Sequence, residues 1–179
     1  APQNATIGRK DPAHLLRALV VEHRNRPFHR GQHRVSFVGK ALAFLEGIGC
    51  PMFKVSSFEI VDLDLIDAIA RTGKPMIIST GMATEGEIAD AHWTADRAGC
   101  NDITLLKCTS AYPAGPQDAN LATMQDMAQM YGRAVGVSDH TLGCGVAVAA
   151  VALGATVVEK HLTLRRADGG PDAGFSMEP

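Results

Sequence analysis

The sequence predicts an α/β fold built on a parallel sheet, and three observations lead to this prediction. From residue 50 onward, short apolar runs alternate with segments of helical period, which is typical of repeated strand–helix units. The short runs are apolar throughout, as in strands that are covered on both faces. Each run ends in polar residues, as in (β/α)8 barrels and in open doubly wound sheets. We favour a TIM-barrel type (β/α)8 fold, and an open sheet stays an alternative.

Five strands are expected, and the region His33–Gly49 leaves room for one more strand–helix unit. Because a whole barrel needs about 250 residues, a chain of 179 residues predicts an incomplete barrel in which about strands 4 to 8 are recognisable. The expected strands are Phe53–Ser57, Pro75–Thr80, Ile103–Cys108, Ala134–Ser138 and Thr156–His161.

Helices are expected between these strands. Thr84 and Glu87 have the spacing of a capping box, which predicts a helix that runs to about Ala98 and ends at Gly99. The last helix is rich in alanine and valine, and we expect it to be buried for that reason. The other expected helices are Val61–Arg71, Leu121–Tyr131 and Gly143–Leu153.

The composition excludes several classes of function. A net charge of −2 does not favour binding to nucleic acid, and no apolar run reaches the length of a membrane span. The four cysteines form no C-x-x-C pair. We expect reduced thiols in a cytoplasmic protein, with Cys108 and Cys144 acting as small apolar side chains.

Residues 1–40 differ in composition from the rest of the chain. Their formal charge is +6, whereas residues 41–179 carry −8. A basic tail for an acidic partner, a transit peptide and a segment foreign to the fold are all compatible with this pattern, and we favour the last. We therefore expect an atypical basic segment over 1–40, either disordered or not native to the fold, and a partial barrel over 41–179.

His140 and His161 end neighbouring strands, and they are the strongest candidate pair. Strands in a sheet lie about 4.8 Å apart, so the two imidazoles can share one divalent metal. Asp139 and Glu159 are candidates for outer partners that orient the rings. Two hydrogen-bonded histidines without a metal are an equal alternative.

Lysines, serines and carboxylates follow the same strand ends. Converging lysines would suit an anion such as phosphate or carboxylate, and the alternative is pairing with nearby carboxylates. Glu59 is the best general acid or base by position, and Asp172 lies on a glycine-rich turn. The lysines are Lys54, Lys107 and Lys160, and the serines are Ser57, Ser110 and Ser138.

Six sequence segments together resemble the sialic acid synthase family from about Ala41 to Pro179. They follow one another in the family's order, and the ending GGPDAGFS is closer to pseudaminic acid synthases than to N-acetylneuraminate synthases. The segments are FKVSSFEIVDLDLI, GKPMIISTGMAT, LLKCTSAYPAGPQDANL, VGVSDHTLG, AVALGATVVEKHLTL and DGGPDAGFSMEP.

The resemblance implies a (β/α)8 enzyme, usually a homodimer, that condenses phosphoenolpyruvate with an N-acetylated aldose and releases phosphate. It implies Mn²⁺ or Mg²⁺ on His140 and His161, and proton transfer by Glu59. Sugar contacts would fall on Tyr112 and Asp172, and the implied phosphoenolpyruvate contacts are Lys54, Ser57, Ser110 and Ser138.

Two departures from the family accompany this resemblance. The resemblance places the phosphate-binding threonine of a family motif on Val35, and we expect the family's C-terminal antifreeze-like domain to be absent. The implied sugar is a 2,4-diacetamido-2,4,6-trideoxy hexose, which would give pseudaminic acid. The alternatives are an N-acetylneuraminate synthase that uses N-acetylmannosamine, a Schiff-base aldolase that uses Lys107, and an inactive fragment that binds only anions or a partner.

Overall fold

The computed structural model of the chain describes residues 33–179 and a two-residue strand at Ala18–Leu19, with side chains described from residue 39 onward. Most of segment 1–40 lies outside the described residues, and its expected boundary at Lys40 falls within the first helix. The elements are β1 (Ala18–Leu19), α1 (His33–Gly47), β2 (Phe53–Val55), α2 (Leu63–Ala70), β3 (Met76–Ser79), α3 (Glu85–Arg97), β4 (Ile103–Cys108), α4 (Ala122–Tyr131), β5 (Ala134–Asp139), α5 (Gly145–Ala152) and β6 (Val157–Lys160). Short 3-10 helices lie at Pro116–Asp118 and Arg166–Asp168.

The strands form one sheet in the order β1-β6-β5-β4-β3-β2, and every pair in it is parallel. The prediction of a parallel α/β fold is therefore confirmed. The stretch Arg34–Lys40, where the family resemblance expects a phosphate-binding motif, lies within α1.

One face of the sheet packs against the helices, and the other carries the polar residues. The helix-facing core contains alternate strand residues, and partly buried Val158 packs against it. By the alternation of strand side chains, Lys54, Cys108, Ser138 and Glu159 point to the opposite face, which is the inside of the partial barrel. The core strand residues are Phe53, Val55, Met76, Ile78, Ile103, Leu105, Val135 and Val137.

The sheet curls strongly toward this inner face. Three strands separate β2 from β6, so their ends would lie about 19 Å apart in a flat sheet. Lys54 on β2 nevertheless reaches Glu159 on β6, with 3.0 Å between Nζ and Oε2. Only a sheet that has begun to close on itself brings these side chains together, which fits an incomplete barrel.

Local signals define the ends of the helices. The Thr84 hydroxyl accepts from the Glu87 amide, and the Glu87 carboxylate accepts from the Thr84 amide, so the expected capping box is confirmed. Gly99 has a φ of 96°, a conformation that glycine adopts without the clash that a Cβ would cause. The helix therefore starts and stops where the sequence predicts.

Helix α5 departs from its prediction. Its alanine and valine content predicts burial, yet Val148 is 64% exposed and Val151 is 43% exposed. Val146 and Ala150 are the residues of this helix that are buried. Composition alone was a wrong guide, because an apolar helix is buried on all sides only when neighbours cover all of its faces.

The described residues contain no helix that is both long enough and apolar enough to span a bilayer.

Candidate active site

Two histidines stand side by side where β5 and β6 end. The ring centres of His140 and His161 lie 5.2 Å apart. The Nδ1 atom of His140 is 2.9 Å from the Thr109 carbonyl oxygen, to which its N–H can donate. The Nδ1 atom of His161 lies 3.6 Å from a carboxylate oxygen of Asp172. The His140 ring is thus oriented through Nδ1 by a hydrogen-bond acceptor, whereas the Asp172 carboxylate lies beside His161 Nδ1 at ion-pair distance.

This arrangement fits a shared metal ion. Metal–nitrogen bonds of about 2.1 Å put the centres of two imidazoles on one ion about 5 Å apart, close to the spacing observed. Metal-bound histidines also tend to direct their other ring nitrogen to a carbonyl or a carboxylate. Among the described residues, no group of three or more His, Cys, Asp or Glu side chains could hold a metal. Further ligands of an ion here would be water or substrate oxygens.

The prediction that Asp139 and Glu159 orient the two histidine rings is wrong, because both carboxylates have other contacts. Asp139 accepts from Lys160 Nζ at 2.9 Å and from the Thr141 amide and hydroxyl. Glu159 contacts Ser138 and Lys54. Asp139 precedes His140 directly, so the strand alternation turns its side chain to the other face.

Aromatic side chains form a wall beside the histidines. Tyr112 lies 4.3 Å from His140 between ring centres, and Phe175 lies 5.0 Å from His161. The two aromatic rings are 5.4 Å apart. Phe175 is held by the segment after residue 170, in which Met177 donates its amide to the His161 carbonyl. Tyr112 is 46% exposed, so its part of this wall is accessible, whereas Phe175 is buried behind it.

Cys108 lies at the centre of a group of hydroxyls. Its sulfur is 3.7 Å from Ser110 Oγ and 4.0 Å from His140 Nδ1. Burial raises the pKa of the Cys108 thiol, but hydrogen bonds with His140, Ser57 and Ser110 outweigh this and lower the pKa to about 7. Burial lowers the pKa of His140, whereas its contacts with Cys108 and Thr109 raise it and prevail.

Gly81 closes this group, because a Cβ at its position would force the neighbouring side chains to move. A Cβ there would lie 2.4 Å from Ser110 Oγ, 2.9 Å from Cys108 Sγ and 3.0 Å from Ser57 Oγ. The Gly81 amide also donates to Ser57 Oγ at 3.0 Å. The glycine therefore allows the backbone to approach two serines that the sequence assigns to an anion.

Replacing Gly81 with alanine should displace these hydroxyls with little loss of stability. The clashing atoms are the ends of short side chains that can rotate, so we expect a free-energy loss of about 1 kcal/mol or less. We expect inorganic phosphate to bind about tenfold more weakly, because two donors leave their places. Isothermal titration with phosphate, with thermal melts alongside, measures both effects. An unchanged phosphate affinity would contradict this role of Gly81.

The three candidate lysines do not converge, which corrects the expectation of a shared anion site. Lys54 faces the inside of the barrel. Lys107 follows the opposite alternation from Cys108, and its amine donates to Thr109 Oγ1 at 2.6 Å and reaches the Asp118 carbonyl at 3.4 Å. Lys160 pairs with Asp139. For Lys54 and Lys160, the alternative of pairing with carboxylates is confirmed.

Glu59 lies in the turn after β2. Its carboxylate accepts from the Ser56 amide at 3.0 Å and from the Ser56 hydroxyl at 2.7 Å. Both bonds are local, and they fix the side chain in a half-buried position. Its role in proton transfer stays a prediction.

The match to known proteins extends over most of the chain. A family model described as the NeuB family matches residues 35–179. This chain belongs to the NeuB family. A pseudaminic acid synthase of Helicobacter pylori is 49% identical over 142 residues, which cover 79% of this chain and 42% of that protein. An N,N'-diacetyllegionaminic acid synthase of Campylobacter jejuni is 43% identical over 142 residues, which cover 78% of this chain and 42% of that protein.

Solved structures agree with this assignment. An N-acetylneuraminic acid synthetase of Leptospira borgpetersenii superposes with a TM-score of 0.74 at 36% identity, covering 77% of this chain and 48% of that one. A truncated 3-deoxy-D-arabino-heptulosonate 7-phosphate synthase of Thermotoga maritima superposes with a TM-score of 0.64 at 14% identity, covering 80% of this chain and 56% of that one. This second structure supports the barrel fold alone. The NeuB chain spans about two fifths of the length of the curated relatives described here.

Sequence reasoning missed four residues of this NeuB site. The sequence predicts a small apolar side chain at Cys108, and Gly81 enters that prediction only as part of the segment GKPMIISTGMAT. Thr109 contributes a backbone carbonyl oxygen, which a pattern of side chains cannot predict. Phe175 belongs to the GGPDAGFS ending, so only that segment's resemblance to the family could have singled it out.

Proposed function

We propose that the protein containing these residues condenses phosphoenolpyruvate with an N-acetylated aldose to give a nine-carbon 2-keto sugar acid and phosphate. The observation that carries this proposal is the placement of His140 and His161, 5.2 Å apart, at the same strand ends as Lys54 and Ser138. Membership of a family that contains pseudaminic, legionaminic and sialic acid synthases supports it.

In this proposal His140 and His161 hold a divalent ion, Mn²⁺ or Mg²⁺, through the ring nitrogens not engaged by Thr109 and Asp172. A bound ion of this kind supplies Lewis-acid polarisation of the sugar aldehyde. The protein's part is to fix the rings before the ion arrives, which the Thr109 carbonyl does for His140 through the hydrogen bond at Nδ1.

The remaining residues bind and orient the two substrates. Lys54 and Ser138 hold the anionic groups of phosphoenolpyruvate as charged and neutral donors, with Ser57 and Ser110 as further hydroxyls. C3 of phosphoenolpyruvate bonds to the aldehyde carbon of the sugar, and water adds at C2 of phosphoenolpyruvate. Cleavage of the C–O bond between C2 and the phosphate group then releases phosphate. Glu59 moves a proton at its carboxylate.

The accepted sugar is a 2,4-diacetamido-2,4,6-trideoxy hexose in this proposal. The exposed Tyr112 ring, which packs against Phe175, gives such a sugar an apolar surface for its C6 methyl and acetamido methyl groups. In this proposal Asp172 and the Tyr112 hydroxyl bind its polar groups. The 49% identity to a pseudaminic acid synthase favours this sugar over N-acetylmannosamine.

The test is an assay of the chain with phosphoenolpyruvate, Mn²⁺ and either sugar. We expect one phosphate released per nine-carbon keto acid detected by mass spectrometry, with the bridging oxygen retained in the phosphate. A chelator should stop the reaction. Preference for N-acetylmannosamine would assign the protein to the N-acetylneuraminate synthases instead.

Two results would overturn the proposal. A borohydride-trapped pyruvate adduct on Lys107 would favour the aldolase, although the lysine amine faces away from the inner surface. Absence of turnover with metal and both substrates would favour a fragment that only binds anions or a partner.

A further inference from the structure

Glu159 uses both oxygens of its carboxylate on groups assigned to the substrate. Its Oε1 accepts from Ser138 Oγ at 2.9 Å, and its Oε2 lies 3.0 Å from Lys54 Nζ. The Lys54 and Glu159 side chains are 11% and 13% exposed, and Ser138 is 3% exposed. A carboxylate of the protein thus occupies the place where a lysine and a hydroxyl would hold a substrate anion.

From this geometry we propose that the Glu159 carboxylate competes with the anionic substrate for Lys54 and Ser138. The inference rests on the proposed function for the assignment of these two residues to phosphoenolpyruvate. Lys54 is already neutralised by Glu159, so a phosphate or carboxylate group that approached it would meet a negative charge at close range. Binding therefore requires the glutamate to swing away from its two partners.

The contacts of Glu159 suit a side chain that exchanges partners. Its Oε2 atom is buried and, among the described residues, lacks an aligned hydrogen bond besides its ion pair. The neighbouring pair on the helix-facing side, Lys160 and Asp139, is more fully satisfied. There the lysine also donates to the Thr141 carbonyl, and the aspartate also accepts from the Thr141 amide and hydroxyl.

The two ion pairs differ in the strands that they join, since the Lys160–Asp139 pair lies on the neighbouring strands β6 and β5. Asp139 and Lys160 are register partners, as are Ser138 and Glu159. The remaining hydrogen bonds of the Lys160–Asp139 pair are made with groups at the same strand ends, as is expected of an ion pair with a structural role. The Lys54–Glu159 pair instead joins β2 to β6 across the curled sheet, and Glu159 engages Lys54 and Ser138, the donors that an anion requires. We therefore assign competition to Glu159 and a structural role to Asp139.

The test is the affinity for inorganic phosphate of the wild-type chain and of Glu159→Gln, measured by isothermal titration without metal and at fixed ionic strength. We expect Glu159→Gln to bind phosphate at least about tenfold more tightly, since a competing charge is lost while the side-chain shape is kept. Glu46→Gln, which removes one exposed negative charge from α1, is the control for net charge and should stay within about twofold of wild type.

Glu159→Asp provides a second variant if the glutamine variant fails to fold. Its shorter carboxylate reaches Lys54 less well, so phosphate should again bind more tightly than to wild type, but by less. Weaker or unchanged phosphate binding in a folded variant would overturn the proposal, and weaker binding would make Glu159 a residue that positions Lys54. Tighter phosphate binding without condensation of the sugar would uphold competition while the proposed function failed.

Discussion

Replacing His140 with alanine is expected to lower the Mn²⁺ affinity of the protein by at least about 100-fold. Loss of an outer partner of a metal-bound histidine already costs about 10–100-fold, and here one of two histidine ligands would be lost. His140 is 4% exposed and is fixed by the Thr109 carbonyl, so another side chain cannot readily take its place. Titration with Mn²⁺, followed by calorimetry or electron paramagnetic resonance, measures the change.

The chain offers a matched control in His92, which is also buried. Its Nε2 accepts from Arg133 Nε at 3.0 Å, and its ring contacts Trp93 and Tyr131. Burial lowers the pKa of His92, so the ring is neutral at pH 7 and acts as an acceptor. His92→Gln retains an acceptor and should bind Mn²⁺ as wild type does. Equal Mn²⁺ affinity in His140→Ala and wild type would rule out the shared ion.

Periodicity and local signals predicted the elements of this fold well. Ile103–Cys108 has the same bounds in the sequence and in the structure, because its apolar run is flanked by polar and turn residues. The capping box at Thr84 and Glu87 is local, since its two bonds span three residues. Signals of this kind need no knowledge of the rest of the molecule.

The composition of the site was harder to predict, because both faces of each strand are covered. The period-two alternation of a strand predicts that Lys107 and Cys108 point to opposite faces of the sheet. Because both faces carry apolar residues, the sequence does not show which face is the inside of the barrel. The contact between Lys54 and Glu159 depends on the curl of the whole sheet, because the two residues lie 105 positions apart in the chain. The exposure of α5 depends equally on neighbours that its own sequence does not specify.

Gly136 is where the site depends most directly on packing in the sheet. It lies in β5 between β4 and β6 and pairs in register with Leu106 and Val157. A Cβ at this position would lie 2.2 Å from the Val157 carbonyl oxygen and 2.8 Å from Leu106 Cδ2. The first contact is with backbone, which cannot rotate away. Relief requires β5 and β6 to separate, and these strands carry His140 and His161.

Gly136→Ala should therefore lower the free energy of unfolding by about 3 kcal/mol or more, the upper range for an overpacked core, and lower the Tm by roughly 6–12 °C. Mn²⁺ affinity should fall with it, because the two rings move apart. Gly86→Ala is the matched control in α3, where a Cβ meets nothing within 4 Å, and it should raise stability by up to about 1 kcal/mol. Thermal melts of both variants measure these changes in stability. A Gly136→Ala variant with the same Tm as wild type would mean that β5 and β6 are not held at the spacing on which the histidine pair depends.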